Sequence, residues 1–397
     1  MSQSLPSTAT TDVVDQAASL APGDALHALR RQRDKVVQAT QGSHDGLLDP
    51  ALAGPALAER LLAALHIARK AGSEALAAHY RGRLQALAVL TAAQAAALEG
   101  APRADVAAAD ARLGAILAFA DTLADRPVEG DKAALLTLPG AGLSTPEVVA
   151  LAQLIAFVAY QVRVVVGLRA LAALPPEGTV PAASAAAVEA AGAPFVHPAH
   201  LPQPGEPVRV NGYTSETLGW KAWLPVLDLG QATPEQLAVL EESHPKAKTS
   251  DYYLTLIHQP RILQQRSVAF NAIMYAPGGL SRAERELASA VVSRVNGCVY
   301  CASVHAQRFE QLTKRNDVIH QVFTEPRGAG TNARERAIVQ VAIDLTREPA
   351  AFGAARLQAV LAAGLTRLEV LDLVHAIAIF AWANRLMLNL GEAVHPA

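Results

Sequence analysis

A long-range internal repeat constrains the fold of this chain more than any other feature. Shifted by 222 positions, residues 141–168 align with residues 363–390, and both segments begin Gly-Leu-[Ser/Thr]-x-x-Glu. The identical pairs are Ala141/Ala363, Gly142/Gly364, Leu143/Leu365, Glu147/Glu369, Val148/Val370, Leu151/Leu373, Ile155/Ile377, Ala156/Ala378, Ala159/Ala381, Arg163/Arg385 and Leu168/Leu390. Matching alanines are expected by chance in an alanine-rich chain. The shared Gly-Leu-[Ser/Thr]-x-x-Glu start and the arginine within each apolar run are harder to obtain by chance. The repeat predicts two homologous domains in tandem.

Helix-start signals indicate that both copies are helical. Ser144 and Thr366 each stand three residues before a glutamate, which is the spacing of a capping box. No segment alternates convincingly between apolar and polar residues, so no strand is predicted and the fold class is all-α. In the first half, a helix is expected near 104–123. In the second half, helices are expected near 233–242, 250–258, 260–275, 281–295, 298–313, 331–347, 354–363 and 366–390.

Composition suggests where the domains begin and end. Residues 1–23 are rich in Ser, Thr, Ala and Gln and are expected to be disordered. Residues 24–171 form the predicted first helical domain. Residues 172–215 are rich in Pro, Ala and Gly and are interpreted as a linker. Residues 216–397 form the predicted second domain.

Charge and hydropathy exclude several classes of partner. The formal net charge is −2 and no basic stripe is present, so nucleic acid is not an expected partner. The most apolar stretch, Val148–Leu168, contains Gln153, Gln161 and Arg163, which favours a buried helix over a membrane span. Because no basic region followed by an apolar run opens the chain, a cytoplasmic location is expected.

The candidate site lies in residues 281–310, which contain both cysteines of the chain. Cys298 and Cys301 form a CxxC, His305 follows four residues later, and Glu286 stands twelve residues before the first cysteine. In a helix, positions i, i+3 and i+7 share one face, so the thiols and the imidazole are expected to lie together. Two thiols, an imidazole and a carboxylate indicate redox chemistry.

The energetics of thiol ionisation require more than a helix end. A cysteine with a pKa of about 8.5 is only about 3% thiolate at pH 7. Lowering that pKa by about two units takes roughly 2.7 kcal/mol, whereas a helix N-terminus contributes about 0.3–1 kcal/mol. We therefore expect His305 to act as the base for the Cys301 thiol, and Glu286 to orient the imidazole or relay its proton through water.

The first half contains a counterpart of this segment without cysteine. The run Ala58-Glu59-Arg60 matches Ala283-Glu284-Arg285 at a shift of 225, which places Gly72 on Gly297. At that register Ser73 and Leu76 stand where the cysteines stand, and a one-residue gap could bring His79 onto His305. The first domain is therefore predicted to be a degenerate copy with no thiol chemistry of its own.

The pattern Glu-x11-Cys-x2-Cys-x3-His resembles the active site of the alkylhydroperoxidase D / carboxymuconolactone decarboxylase superfamily. Two segments are similar to the peroxidase-related branch of this superfamily: LSRAERELASAVVSRVNGCVYCASVHA, and FAWANRLMLNLGE near the C-terminus. The resemblance covers about residues 220–392 and reaches the first half only as a divergent repeat. The best-studied members of the family carry a histidine directly before the second cysteine, where this chain has Tyr300.

The resemblance implies a thiol-dependent peroxidase, an oxidoreductase acting on hydroperoxides. In that interpretation Cys301 is the peroxidatic thiol, Cys298 resolves its sulfenic acid to a disulfide, and His305 with Glu286 forms a proton relay. A thioredoxin-like or lipoyl-bearing dithiol protein would then restore the thiols.

Other interpretations remain open. A carboxymuconolactone decarboxylase-like lyase would not need the CxxC, and a non-catalytic redox-sensing or assembly module would need no substrate. A metal half-site at the CxxC would need a fourth ligand such as His375 or Glu286, and because no further cysteine exists we predict neither a metal nor another cofactor. Long apolar helix faces predict a homo-oligomer, a trimer or a dimer.

Overall fold

The computed structural model of the chain describes residues 12–175 and 205–396, and this part is built mainly of α-helices. The all-α prediction is confirmed. The helices of the first half are α1 (Val13–Ala18), α2 (Ala25–Arg31), α3 (Asp34–Leu47), α4 (Leu57–Lys70), α5 (Glu74–Gln85), α6 (Ala92–Glu99), α7 (Arg103–Ala109), α8 (Ala111–Asp125), α9 (Lys132–Gly140) and α10 (Thr145–Ala172).

The second half begins with short strands and continues as helices. The helices are α11 (Pro234–Ser243), α12 (Asp251–Leu256), α13 (Pro260–Met274), α14 (Arg282–Val295), α15 (Val299–Thr313), α16 (Asp317–Thr324), α17 (Ala333–Arg347), α18 (Ala354–Ala362) and α19 (Arg367–Asn389). The strands are β1 (Arg209–Val210), β2 (Tyr213–Thr214), β3 (Gly219–Ala222) and β4 (Gly391–Val394). β1 pairs with β2, and β3 with β4, both antiparallel.

The tandem repeat extends further than the aligned sequence. Adding 222 to the bounds of α8 and α9 gives the bounds of α17 and α18, and the capping residue of α10, Ser144, maps onto that of α19, Thr366. Adding 225 to the last residue of α4 and the first of α5 gives those of α14 and α15. Each half therefore contains the same helical hairpin and the same three-helix C-terminal unit, although few residues outside α10 and α19 are identical.

Helices α10 and α19 form the centre of the molecule. Of the described elements, these two share the most extensive contact. Every residue from Val148 to Val165 in α10 is buried, and a helix that is apolar on all sides must lie inside a core. The indole Nε1 of Trp382 donates a hydrogen bond to Oε1 of Gln153 at 2.8 Å, which satisfies two polar groups within that core.

The approach of these two helices depends on Gly167. A methyl group at this position would overlap the Val374 side chain of α19. We expect Gly167→Ala to destabilise the protein by about 1–3 kcal/mol through overpacking. Gly82→Ala is the matched control, because Gly82 is a helical glycine with open space around it, and alanine there should be neutral or stabilising. Urea denaturation measures both, and equal stability of Gly167→Ala and the parent would contradict the close approach.

The two repeated arginines connect the halves. Arg163 Nη2 donates to the carbonyl of Thr346 at 2.7 Å, and Arg385 Nη2 donates to the carbonyl of Ala124 at 2.7 Å. Each arginine thus satisfies a carbonyl in the last turn of a helix from the opposite half, where a cation is favoured. Burial lowers the pKa of Arg163 to about 10. The partners of both arginines across the junction of the halves are backbone carbonyls, not carboxylates.

By length and composition, α10 and α19 could each cross a membrane. In this fold the apolar window of α10 is wholly buried and that of α19 is 94% buried. Both are therefore core helices, as the polar residues within Val148–Leu168 predicted for α10.

The structure corrects several local predictions. Residues 13–18 lie in helix α1, which packs on α10, so disorder throughout 1–23 is wrong; residues 1–11 lie outside the described part. The helix expected at 104–123 is two helices, because Asp110 caps α8 by accepting a hydrogen bond from the backbone N–H of Leu113. Short strands occur where none was predicted. Of the predicted linker, 176–204 lie outside the described residues, and β1 and β2 occupy part of the remainder.

Candidate active site

The helical hairpin α14–α15 positions the candidate site. Ser281 caps α14 in a capping box with Glu284, as its spacing predicts. The hairpin turns at Gly297, whose φ of +79° is a left-handed conformation that favours glycine. A side chain at this position would also overlap Val128 of the first half. Cys298 follows as the capping residue of α15, so Cys301 lies in the first turn of that helix.

The two thiols lie in different surroundings. Both are free cysteines and both are buried, with Cys298 1% and Cys301 4% exposed. Cys301 lines a cavity, whereas Cys298 is not among the residues that line it. Burial and its contact with Cys301 raise the pKa of Cys298 well above the usual range. The start of a helix favours a thiolate, but at Cys298 the loss of solvation outweighs that field.

His305 and Glu286 are in direct contact. His305 Nδ1 and Glu286 Oε2 are 2.5 Å apart, a charge-assisted hydrogen bond across the hairpin. Glu286 is 1% exposed, and Arg282 Nε lies 3.6 Å from its other oxygen. The edge of the imidazole meets the Phe380 ring, with centroids 4.3 Å apart. The hydrogen bond and the Phe380 contact together fix the plane of the imidazole. Because the carboxylate and the imidazole are in direct contact, no water is needed to relay a proton between them.

A cavity of about 440 Å³ brings these groups together. Cys301, His305 and Glu286 all line it. Its walls are largely aromatic, and include Trp220, Tyr252, Phe270, Tyr275, Tyr300 and Phe380. Burial raises the pKa of Tyr300 to about 12 and those of Tyr252 and Tyr275 also upward, so these hydroxyls stay protonated at neutral pH. The aromatic rings therefore offer an apolar surface to the body of an organic molecule.

The Cys298 side chain is in contact with a polar hydrogen-bond network. Asn384 of α19 donates to Ser293 Oγ at 3.0 Å and accepts from Asn296 Nδ2 at 2.9 Å. Asn384 also hydrogen-bonds the Cys298 side chain. No sequence motif singled out Asn384 or Phe380. In the sequence each of these residues is only a polar or aromatic residue within an otherwise apolar helix, and that pattern does not indicate a functional site.

Of the two candidate fourth metal ligands, Glu286 shares the cavity with Cys301 but His375 does not. His375 is buried, and its pKa falls to about 3 because burial disfavours the charged ring. It is not among the residues that line the cavity of Cys301. Among residues 12–175 and 205–396, no group of three or more His, Cys, Asp and Glu side chains is arranged to hold a metal ion.

The first half repeats the hairpin without its chemistry. Because α4–α5 and α14–α15 correspond without a gap, Leu61, Ser73, Leu76 and Tyr80 occupy the positions of Glu286, Cys298, Cys301 and His305. Leu76 and Tyr80 are fully buried, and the Tyr80 hydroxyl donates to Gln161. The gap that would have aligned His79 with His305 is absent. His79 instead meets His44, with their Nε2 atoms 3.0 Å apart.

The site region matches a known family. Residues 262–344 match the carboxymuconolactone decarboxylase family, and this span contains Glu286, Cys298, Cys301 and His305. The resemblance to the alkylhydroperoxidase D / carboxymuconolactone decarboxylase superfamily is confirmed. Among proteins with curated descriptions, none matches the sequence.

Two solved structures are similar to part of the chain. One is described as an alkylhydroperoxidase AhpD core, an uncharacterized peroxidase-related protein from Ralstonia eutropha JMP134; it is 24% identical over 43% of this chain and 97% of its own, with a TM-score of 0.37. The other, an uncharacterized peroxidase-related protein from Silicibacter sp. TM1040, is 23% identical over 40% of this chain and 86% of its own, with a TM-score of 0.34.

Proposed function

We propose that this chain, whose residues 262–344 match the carboxymuconolactone decarboxylase family, is a thiol-dependent peroxidase that reduces hydroperoxides. One observation carries the proposal: Cys301, His305 and Glu286 line a single cavity, and the histidine is hydrogen-bonded to the carboxylate. A lyase of the same superfamily would not need the second thiol directly behind the first, so the geometry favours the peroxidase.

The reaction uses Cys301 as the nucleophile. His305 accepts the thiol proton through the ring nitrogen that Glu286 does not occupy, and the resulting thiolate attacks the terminal oxygen of ROOH. The O–O bond breaks, the leaving alkoxide takes the proton from the imidazolium to give ROH, and Cys301 becomes a sulfenic acid. The carboxylate stabilises the imidazolium between these two proton transfers.

The second half of the cycle uses Cys298. Its raised pKa keeps it a protonated thiol, which suits a resolving group that must wait for the sulfenic acid. Attack of the Cys298 sulfur on the sulfenic acid forms the Cys298–Cys301 disulfide and releases water. The net change is ROOH plus two thiols to ROH, water and one disulfide.

The thiols are then restored by an external reductant. A thioredoxin-like or lipoyl-bearing dithiol exchanges with the disulfide and is itself oxidised. A cytoplasmic location, which we retain as part of the proposal, would supply such a donor.

The apolar helix faces that predicted a homo-oligomer are covered within the chain by the contact of α10 with α19. A dimer or trimer stays a prediction, and light scattering tests it.

The direct test follows the hydroperoxide and the CxxC peptide together. Reduced protein is mixed with a stoichiometric amount of cumene hydroperoxide, and the peptide containing Cys298 and Cys301 is analysed by mass spectrometry. We expect one equivalent of hydroperoxide to disappear as one intramolecular disulfide forms. Disulfide formation in air without accelerated formation by hydroperoxide would instead indicate a redox-sensing module.

The Glu286 carboxylate is expected to act through His305. Glu286→Gln removes the charge that stabilises the imidazolium, so we expect kcat/KM for hydroperoxide to fall about 10²-fold. Stopped-flow measurement of hydroperoxide consumption at neutral pH tests the effect.

Glu99→Gln is the control for this variant. Glu99 is exposed and pairs only loosely with Arg81, at 3.7 Å, so its loss should leave the rate unchanged. An unchanged rate for Glu286→Gln would remove the proton relay from the mechanism.

A further inference from the structure

Arg266 is a buried cation without an anionic partner. It lies on α13, is 4% exposed, and lines the same cavity as Cys301, His305 and Glu286. Its Nε is buried without a hydrogen-bond partner, and Arg266 forms no ion pair with any side chain in residues 12–175 or 205–396. A buried charge is costly unless a partner compensates it, so a missing partner is informative.

The other buried arginines donate hydrogen bonds to the protein from their guanidinium groups, although Nε of Arg163, Arg285 and Arg385 also lacks a partner. Arg285 donates to Asp372 at 2.8 Å and to the Ala276 carbonyl, also at 2.8 Å. Arg60, Arg163 and Arg385 each donate to two or more backbone carbonyls. Arg266 differs from all of them, and it is the one that faces the candidate active site.

Two aromatic faces hold the Arg266 side chain in place. The guanidinium carbon lies 5.4 Å from the centroid of the Tyr252 ring and 5.8 Å from that of Phe270. These contacts stabilise a cation but use the faces of the guanidinium rather than its N–H groups. The N–H groups therefore remain available to a ligand in the cavity.

The charges around the cavity also favour an anion. Glu286 is already engaged by His305 and Arg282, and Asp251 accepts a hydrogen bond from the Ala222 N–H. The side chains that line the cavity include three cations, Lys246, Arg266 and Arg308, against the two carboxylates Glu286 and Asp251. The lining therefore carries an excess of positive charge, which favours an anionic ligand.

We propose that Arg266 binds the carboxylate of the substrate, so that the cavity takes hydroperoxides carrying an acid group on an apolar body. The planar fork of a guanidinium matches a carboxylate with two parallel hydrogen bonds. The aromatic walls accommodate the hydrocarbon, and about 440 Å³ suits a small organic acid. This assignment of substrate class rests on the proposed function for its reactive group, but the binding of the acid does not.

Calorimetric titration with unreactive probes tests the binding step. Decanoate, methyl decanoate and decyl phosphate are compared on the full-length reduced protein. We expect decanoate to bind at least about tenfold more tightly than its methyl ester, since a hydrogen-bonded charge pair is lost in the ester. Equal affinity for acid and ester, or tighter binding of the phosphate, would overturn the proposal.

Arg266→Met then locates the effect. This variant keeps an unbranched apolar stem but removes the guanidinium, and it should lose about ten- to hundredfold of the decanoate affinity. Arg261→Met is the matched control on the same helix, because Arg261 is 54% exposed and pairs with Asp49 away from the cavity. Undiminished decanoate binding by Arg266→Met would overturn the proposal. If that variant does not fold by circular dichroism, the comparison of acid with ester on the parent protein decides.

A kinetic comparison connects the acid group to turnover. The ratio of kcat/KM for a fatty-acid hydroperoxide to that for its methyl ester should exceed one in the parent. The ratio should fall about tenfold or more in Arg266→Met, mainly through KM, and stay unchanged in Arg261→Met. An unchanged ratio in Arg266→Met would contradict the proposal. Absence of turnover with any hydroperoxide would instead sink the peroxidase function, while acid binding would still be decided by calorimetry.

Discussion

Cys301→Ser is expected to abolish hydroperoxide reduction, lowering kcat/KM by about 10³-fold or more. The sulfur of Cys301 faces the cavity with His305, and a serine hydroxyl there cannot attack the O–O bond at a comparable rate. Stopped-flow measurement of hydroperoxide consumption by the reduced protein checks the result. Turnover at the parental rate would exclude Cys301 as the nucleophile.

Cys298→Ser should behave differently, which makes it the matched control. Cys298 does not line the cavity, so its replacement should leave the first attack intact and block only disulfide formation. We expect one equivalent of hydroperoxide to be consumed per chain and the sulfenic acid of Cys301 to accumulate, where a cyclic 1,3-diketone traps it. If Cys298→Ser were inert and Cys301→Ser gave the trapped adduct, the roles of the two thiols would be exchanged.

Asp372→Asn should be the most damaging single substitution for stability, costing about 3–5 kcal/mol because it leaves buried Arg285 without its anion. Asp372 is 3% exposed and accepts hydrogen bonds from Arg33 at 2.7 and 2.8 Å, from Arg285 at 2.8 Å and from the Leu280 N–H at 3.0 Å. It therefore ties the start of α3 and the start of α14 to α19. Urea denaturation at neutral pH measures the loss.

The same carboxylate should make folding sensitive to acid. Burial opposes ionisation of Asp372, but the hydrogen bond from Arg33 and the charges of Arg285 and Arg33 outweigh it and hold the pKa below its usual value. Its contribution is thus fully present above the unfolded-state pKa, about 3.9, and is lost as the pH falls through the lower folded-state pKa. The stability of Asp372→Asn should accordingly depend less on pH in that window.

Glu129→Gln is the control for both measurements. Its pair with Arg126, at 2.7 Å, is exposed on both sides, so its removal should cost no more than about 1 kcal/mol. Equal stability of Asp372→Asn and Glu129→Gln, or identical pH dependence of Asp372→Asn and the parent, would contradict the assigned role of Asp372.

Local signals predicted most helices well. Capping pairs such as Ser281 with Glu284 and Thr366 with Glu369 act within one turn, so the starts of α14 and α19 could be read from adjacent residues. Helix α16 was missed, although its Val318, Ile319, Val322 and Phe323 follow helical spacing. It is short, and a few apolar residues do not distinguish a helix from a loop that packs on the core.

Contacts between residues on helices that are far apart in the sequence could not be predicted. Spacing placed Cys301 near His305, and the hairpin brought Glu286 to them, because these residues are close in sequence. Arg266, Phe380 and Asn384 come from α13 and α19, whose positions depend on packing across the whole chain. The carbonyl partners of Arg163 and Arg385 were missed for the same reason.

By itself the sequence determined the tandem helical plan and the identity of the four groups proposed for catalysis, since periodicity, caps and spacing are properties of neighbouring residues. Tertiary structure alone decided which thiol faces the cavity, why Cys298 resists ionisation, and that Arg266 lies unpaired beside the site. The physical reason is that burial and charge compensation depend on residues brought together from distant parts of the chain.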